Sequence, residues 1–353
     1  MIRYPLRLKV IGIPPVIARG IYMIFCLGTL NFCGSHSLLG QVPRGAFGFG
    51  DQPSFTGLAG LGGVNITSGG DPLMFLSNPA LLDSADGEAL SAHYLNLPGG
   101  FQFATAGYGW QPKEGWQAAF GVQFVNYGEF EGFDEVGFPL GTFHANEFAI
   151  TSALNGTNGV FRYGLNLKLM GSLLESYQAY ALASDLGITY HHPQEHLVIA
   201  ITAKRVGVVL AHYISELPLQ LIPDVRVGIR YKAPNMPVRF HLTGRNLIHD
   251  SGPSYINTVP LMNDNRFGDR LFKRLVLGAE VLVHESFELR IGYNHLVRRE
   301  FADISGRGLG GFSGGWVFRT PEFTLSYAVS AYQIAGSAHL FGIHTNIQSL
   351  RKF

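Results

Sequence analysis

Basic side chains recur at a spacing that could do chemistry. Arg226, Arg230 and Lys232 lie an even number of residues apart in one short stretch, Arg239 and Arg245 follow in the next, and Arg290 comes later, with Glu280 and Glu288 on neighbouring segments. Residues two or four apart share one face of a β-strand. Arg226, Arg230, Arg239 and Arg290 therefore form a candidate basic sector on one wall. Such a sector could conduct an anion or hold a lipid headgroup. Paired with Glu280 and Glu288 it would instead be a salt-bridged interior that keeps charge out of lipid, and this reading is preferred because an enclosed lumen must satisfy its polar groups.

Other constellations carry less. His191, His192 and His196 flank a Pro-containing turn with no carboxylate-rich surroundings, which fits a hydrated turn better than a metal site. The glycine run 306–315 lacks the Lys-Ser/Thr and the helix start of a phosphate-cradling loop. Ser349 and Lys352 match a Ser-x-x-Lys spacing without the companion motifs of that enzyme class. No catalytic set, metal site or cofactor is expected, and the chain reads as a non-enzyme.

The elements that position these residues are strands. In 161–169 every odd position is apolar and every even one polar or Gly, and the same parity runs through 225–232, 238–243 and 287–294. Charges sit in mid-strand on one face while the other face is apolar, the pattern of an aqueous lumen backed by hydrocarbon. Tight turns are expected at 111–115, 155–159, 191–195, 234–236, 284–286 and 320–322, alternating with other connections, several of them much longer, among them 128–143, 208–223, 248–270 and 298–308. This alternation predicts an all-β fold, a transmembrane antiparallel β-barrel of about 14 strands, with both ends of the barrel on the short-turn, periplasmic side.

Composition agrees. Charged residues make up 14% of the chain, Gly (45), Phe (26) and Tyr (15) are abundant, and mean hydropathy is only +0.15. After the N-terminal region no apolar run reaches the ~18 residues of a membrane-spanning helix, which excludes a helical bundle. Lys and Arg (26) balance Asp and Glu (25), so there is no electrostatic footprint for nucleic acid.

Three regions are expected. Residues 1–41 read as an export signal: Arg3, Arg7, Lys9 and Arg19 precede an apolar stretch, 21–30, followed by small or polar residues. Cleavage between Ser35 and Gln41 would remove Cys26 and Cys33 and leave no thiol. A lipobox at 30–33 is disfavoured by bulky Phe32. Residues 42–88 are Gly-rich with short helical patches and are expected to form a plug or hatch at the periplasmic mouth. Residues 89–353 are the barrel, and the terminal Phe353 suits a chain inserted into the outer membrane by its assembly machinery.

At the plug the chain resembles a family. Gly62-Gly63-Val64-Asn65-Ile66, followed by Asn78-Pro79-Ala80-Leu81-Leu82, is similar to the PorQ family of the Bacteroidetes type IX secretion system, within a broader PorV and FadL-like class. Segments 179–190 and 242–247 add to the likeness. The resemblance marks Gly62, Gly63, Asn65, Asn78, Pro79 and Ala80 as a hatch motif. It implies an outer-membrane anchor for a PorZ-like surface protein, working with PorU-like and PorV-like components that process cargo and link it to lipopolysaccharide. The loop 128–143, with Phe130, Phe133 and Phe138 among acidic residues, is the candidate partner-binding loop. The alternative function is a FadL-like transporter of hydrophobic compounds, which requires a continuous apolar pocket; the polar, basic inner face of several strands counts against it.

Overall fold

The computed structural model describes residues 47–82, 88–97, 99–134, 136–194, 196–248, 267–301, 308–332 and 336–347. The export signal, Ser349, Lys352 and Phe353 lie outside the described residues, as does most of 248–270. The strands are β1 (Ala89–Asn96), β2 (Gln102–Lys113), β3 (Trp116–Phe133), β4 (Pro139–Asn158), β5 (Phe161–Leu174), β6 (Tyr177–His191), β7 (Leu197–Ala211), β8 (Asp224–Lys232), β9 (Val238–Gly244), β10 (Leu275–His284), β11 (Phe287–Asn294), β12 (Phe312–Arg319), β13 (Phe323–Tyr332) and β14 (Gly336–Asn346). Each pairs antiparallel with its neighbours, and β1 pairs β14 to close a 14-stranded barrel. Closure leaves no edge strand in the sheet, the condition for lying in hydrocarbon.

The parity of the sequence becomes inside and outside. In β5 Leu165, Leu167 and Leu169 are exposed, while the alternating Asn166, Lys168 and Met170 are buried. Phe120, Val122 and Phe124 on β3, Ile199 and Ile201 on β7, Leu289 and Ile291 on β11, and Phe341 and Ile343 on β14 likewise face outward. An uninterrupted apolar belt of this kind is the lipid face of a membrane-spanning barrel. Near the tight turns it ends in aromatic pairs, Trp116 with Tyr163 and Phe161 with Tyr190, at ring-centroid distances of 6.1 and 5.5 Å, as in the interfacial girdle of such barrels.

The wall is uneven in height. β4 has 20 residues, β8 has 9 and β9 has 7. At ~3.3 Å per residue and a tilt of ~40°, β4 rises ~50 Å and β8 ~23 Å, against an apolar band of ~25 Å. The β3–β4 hairpin therefore stands well clear of the membrane, and β8 and β9 fall short of the full height of the band. The pairing of β7 with β8 stops at Lys204 and Asp224, so residues 205–211 of β7 rise above the end of β8.

The connection expected to be a loop over 128–143 is mostly strand. After an irregularity at Gly128, whose φ is +89°, pairing resumes with Glu129 opposite His144 and Phe130 opposite Phe143, leaving 134–138 as the turn. Stacking of the Phe130 and Phe143 rings at 5.5 Å holds the extension together. The end opposite the tight turns also contains short links, among them that of β5 to β6 through Glu175 and Ser176 alone. The 298–308 region begins inside a helix, His295–Glu300, whose first turn is capped by Asn294 accepting from the Leu296 and Val297 amides.

Candidate functional site

The plug lies inside the barrel. Its apolar residues Phe55, Leu58, Leu73, Met74, Phe75, Leu76, Leu81 and Leu82 pack together and against Ala119 and Ala153 in the periplasmic half of the wall. The hatch-motif residues shape this packing. Asn65 Oδ1 accepts from the Thr67 and Ser68 amides at 2.8 and 2.7 Å, and Asn78 Nδ2 donates to the Ile66 carbonyl at 2.9 Å, which folds the chain back on itself. Gly62 and Gly63 have φ of +87° and +84°, a conformation that favours glycine. The Asn78-Pro79-Ala80 turn presses on Gly164 and Gly187, where any side chain would collide with it.

Polar side chains tie the plug to the wall on several sides. Toward β1, His93 lies 3.5 Å from Asp71 and receives the Thr56 amide at 3.3 Å. Toward β9 and β10, Ser68 donates to Glu280 at 2.5 Å, and Thr67 hydrogen bonds His241 at 3.1 Å. Toward β5 to β7, Asn166 donates to the Phe75 carbonyl at 2.8 Å and Lys204 to the Leu76 carbonyl at 3.0 Å. Asp51 binds the guanidinium groups of Arg205 and Arg226. Burial raises the pKa of Asp51, but Arg205 and Arg226, with Lys204 and Arg245 further off, hold it well below the usual carboxylate range.

The proposed basic sector is resolved residue by residue. Arg226 is buried and pairs with Asp224 at 2.5 Å as well as with Asp51, and Arg290 is buried and pairs with Glu288 at 2.7 Å. Arg239 reaches Glu280 at 3.2 Å, and Arg230 is half-buried near the tight-turn end of β8. The carboxylates Asp51, Asp185 and Asp224 were not singled out in the sequence. Asp185 takes Lys168 at 2.5 Å, and both are buried. Two-residue spacing on β5 and β6 was the signal that could have found that pair.

Above the plug the lumen changes character. Leu95, Phe103, Val125, Ala149, Met170, Ala179, Ala181, Ala183, Ala338 and Leu340 form a second apolar cluster on the inner face of the taller half of the barrel, with Phe47 and Phe49 of the plug's first turn set into it. Leu219 of the β7–β8 connection and Val297 belong to the same cluster. Its polar groups are partnered among themselves: Glu147 accepts from the Tyr127 hydroxyl and from the Phe47 amide, and Tyr213 donates to Ser172 at 2.6 Å. The inner face thus carries polar ties to the plug below and an apolar cluster above, whereas the sequence reading of a polar, basic inner face in several strands counts modestly against an apolar lumen. The parity of the upper strand halves, read apart from the lower halves, carried this signal.

No family model matches the chain, and no curated protein does. Solved structures share its fold. The toluene transporter TodX of Pseudomonas putida aligns with a TM-score of 0.52 at 10% identity, covering 84% of this chain and 98% of that one. A Pseudomonas aeruginosa FadL homologue aligns with a TM-score of 0.46 at 11% identity, covering 83% and 98%. At 10% identity the likeness to TodX is one of fold alone.

Phe130, Phe133 and Phe138 are exposed on the upper part of the β3–β4 hairpin, together with Val136 and Leu140.

Proposed function

We propose that this barrel admits small, predominantly apolar molecules across the outer membrane, entering the chamber above the plug. The observation that carries the reading is the division of the lumen: an apolar cluster built from the upper wall stands over a polar, ion-paired contact zone with the plug. A diffusion pore for hydrophilic solutes has no use for an apolar upper lumen or a plug. The fold shared with a toluene transporter supports the same reading. The test is permeation of an apolar fluorescent probe, N-phenyl-1-naphthylamine, into cells with and without the barrel. Faster entry with the barrel supports the proposal, and equal rates contradict it.

A second reading, an anchor for a surface protein in a type IX attachment complex, is favoured by one feature, the tall β3–β4 hairpin with its exposed Phe133 and Phe138. The hatch motif adds little to it, because its residues serve the packing of the plug. Stoichiometric recovery of a large PorZ-like protein with the tagged, detergent-solubilised barrel would support it.

A further inference from the structure

At the end opposite the tight turns the apolar outer face does not stop with the strands. β11 has 8 residues. At ~3.3 Å per residue and a tilt of ~40° it rises ~20 Å, less than an apolar band of ~25 Å. Two helices continue the wall there: α1, Phe267–Arg274, runs directly into β10, and α2, His295–Glu300, follows directly from β11.

Aromatic rings cross from the strands to α1 in an unbroken series. Phe312 of β12 lies 4.9 Å from Tyr293 of β11, Tyr293 lies 6.2 Å from His295, and His295 lies 6.0 Å from Phe272 of α1. The Tyr293 hydroxyl also hydrogen bonds His295 Nδ1 at 3.0 Å. Tyr293 shares the outward parity of Leu289 and Ile291, and Leu271 and Phe272 are 46% and 56% exposed. Neighbouring large apolar side chains on a charged helix are unfavourable in water and favourable in the interfacial layer of a bilayer.

The sequence of the two helices is also basic: Arg270, Lys273, Arg274, Arg298 and Arg299 stand against Asp269 and Glu300. Cations in the last turn complement a helix dipole, which accounts for charge at that position but not for the exposed Leu271 and Phe272 beside it. Both helices are fixed to their surroundings, the Arg245 amide donating to the Arg274 carbonyl at 2.9 Å and Arg298 to the Gly308 carbonyl at 3.0 Å.

We propose that α1 and α2 form a docking surface for a phosphorylated lipid of the outer leaflet, with its acyl chains against Phe312, Tyr293 and Phe272 and its phosphate held by Lys273 and Arg274. Arg298 and Arg299 add to the positive field. A lipid is the occupant, rather than free phosphate, because the cations adjoin an apolar surface at the rim of the hydrocarbon band. The surface lies on the outside of the wall and is independent of what passes through the lumen.

The test is native mass spectrometry of the barrel in detergent with added bis-phosphorylated lipid A, compared with the dephosphorylated lipid. Wild type should retain the phosphorylated form preferentially. Lys273→Gln combined with Arg274→Gln should weaken its binding about tenfold, from the loss of two cations at the membrane surface. Phe272→Ser should weaken both forms. A charge-matched pair at the opposite rim, Lys113→Gln with Lys232→Gln, should change nothing, and heat-modifiable mobility shows that each variant is folded. Equal retention of the two lipids, equal loss in the two charge pairs, or displacement of the lipid by an equal concentration of inorganic phosphate would each overturn the proposal.

Discussion

Lys204 on β7 donates its ammonium to the backbone carbonyl of Leu76 across 3.0 Å, joining a buried wall lysine to the middle of the plug. The bond ties the plug at the height where β7 loses its β8 partner. Lys204→Met leaves the Leu76 carbonyl without that donor, at a cost of about 1–3 kcal/mol for an orphaned buried acceptor. The expected outcome is a lower urea midpoint for the folded barrel and faster protease cleavage within the plug, measured on refolded protein.

The contact of Asn78-Pro79-Ala80 with Gly164 and Gly187 predicts a different behaviour. Gly187→Val puts side-chain atoms where the Asn78 carboxamide lies, so the plug must shift while the strand, which tolerates valine, stays intact. Planar-bilayer recordings should then show ion conductance where wild type is closed, with the heat-modifiable mobility of the folded barrel retained.

Glu288 is buried and accepts from Arg290 at 2.7 Å and Arg319 at 2.8 Å. Glu288→Gln leaves two guanidinium groups without their anion inside the lumen, and removing one partner of a buried pair costs about 3–5 kcal/mol. Equilibrium unfolding in urea should show a loss of that order, and the further change Arg290→Met should restore part of it.

For pH, Asp51 supplies the sign. Its pKa in the folded chain is depressed, so the stability it contributes is complete above the unfolded value of about 3.9 and is lost as pH falls through the lower folded value. Release of the Phe47–Asp51 turn, followed by labelling of a cysteine placed at Gly48, should therefore be flat from neutral pH down to about 4 and rise only in stronger acid. In Asp51→Asn that acid step should vanish.

Much of the barrel was legible in the sequence because a strand facing lipid on one side and a filled lumen on the other must alternate. Residues 287–294 became β11 without change, and each expected tight turn marks a link between two paired strands, although 111–113 and 155–158 are still strand and the turns there are shorter than expected. The β3–β4 extension was not legible: Gly128 and the acidic residues around Phe130 read as loop, and only cross-strand pairing with 141–144 makes them strand. The partners of the basic residues were harder still. Arg226 and Asp51 are far apart in the chain, and only the folding of the plug into the lumen brings them together. The apolar cluster was masked for a related reason, since each strand contributes at most three apolar residues to it, several of them alanines.

The central claim is that the cluster above the plug receives apolar molecules from outside. It is tested most directly by photolabelling the barrel in outer-membrane vesicles with an octyl diazirine and mapping the modified residues. The account predicts labels on the inward residues Phe103, Met170 and Leu340 that excess octanol competes away, in addition to labels on lipid-facing residues such as Leu167 and Phe341. Labelling confined to the lipid-facing residues would contradict it.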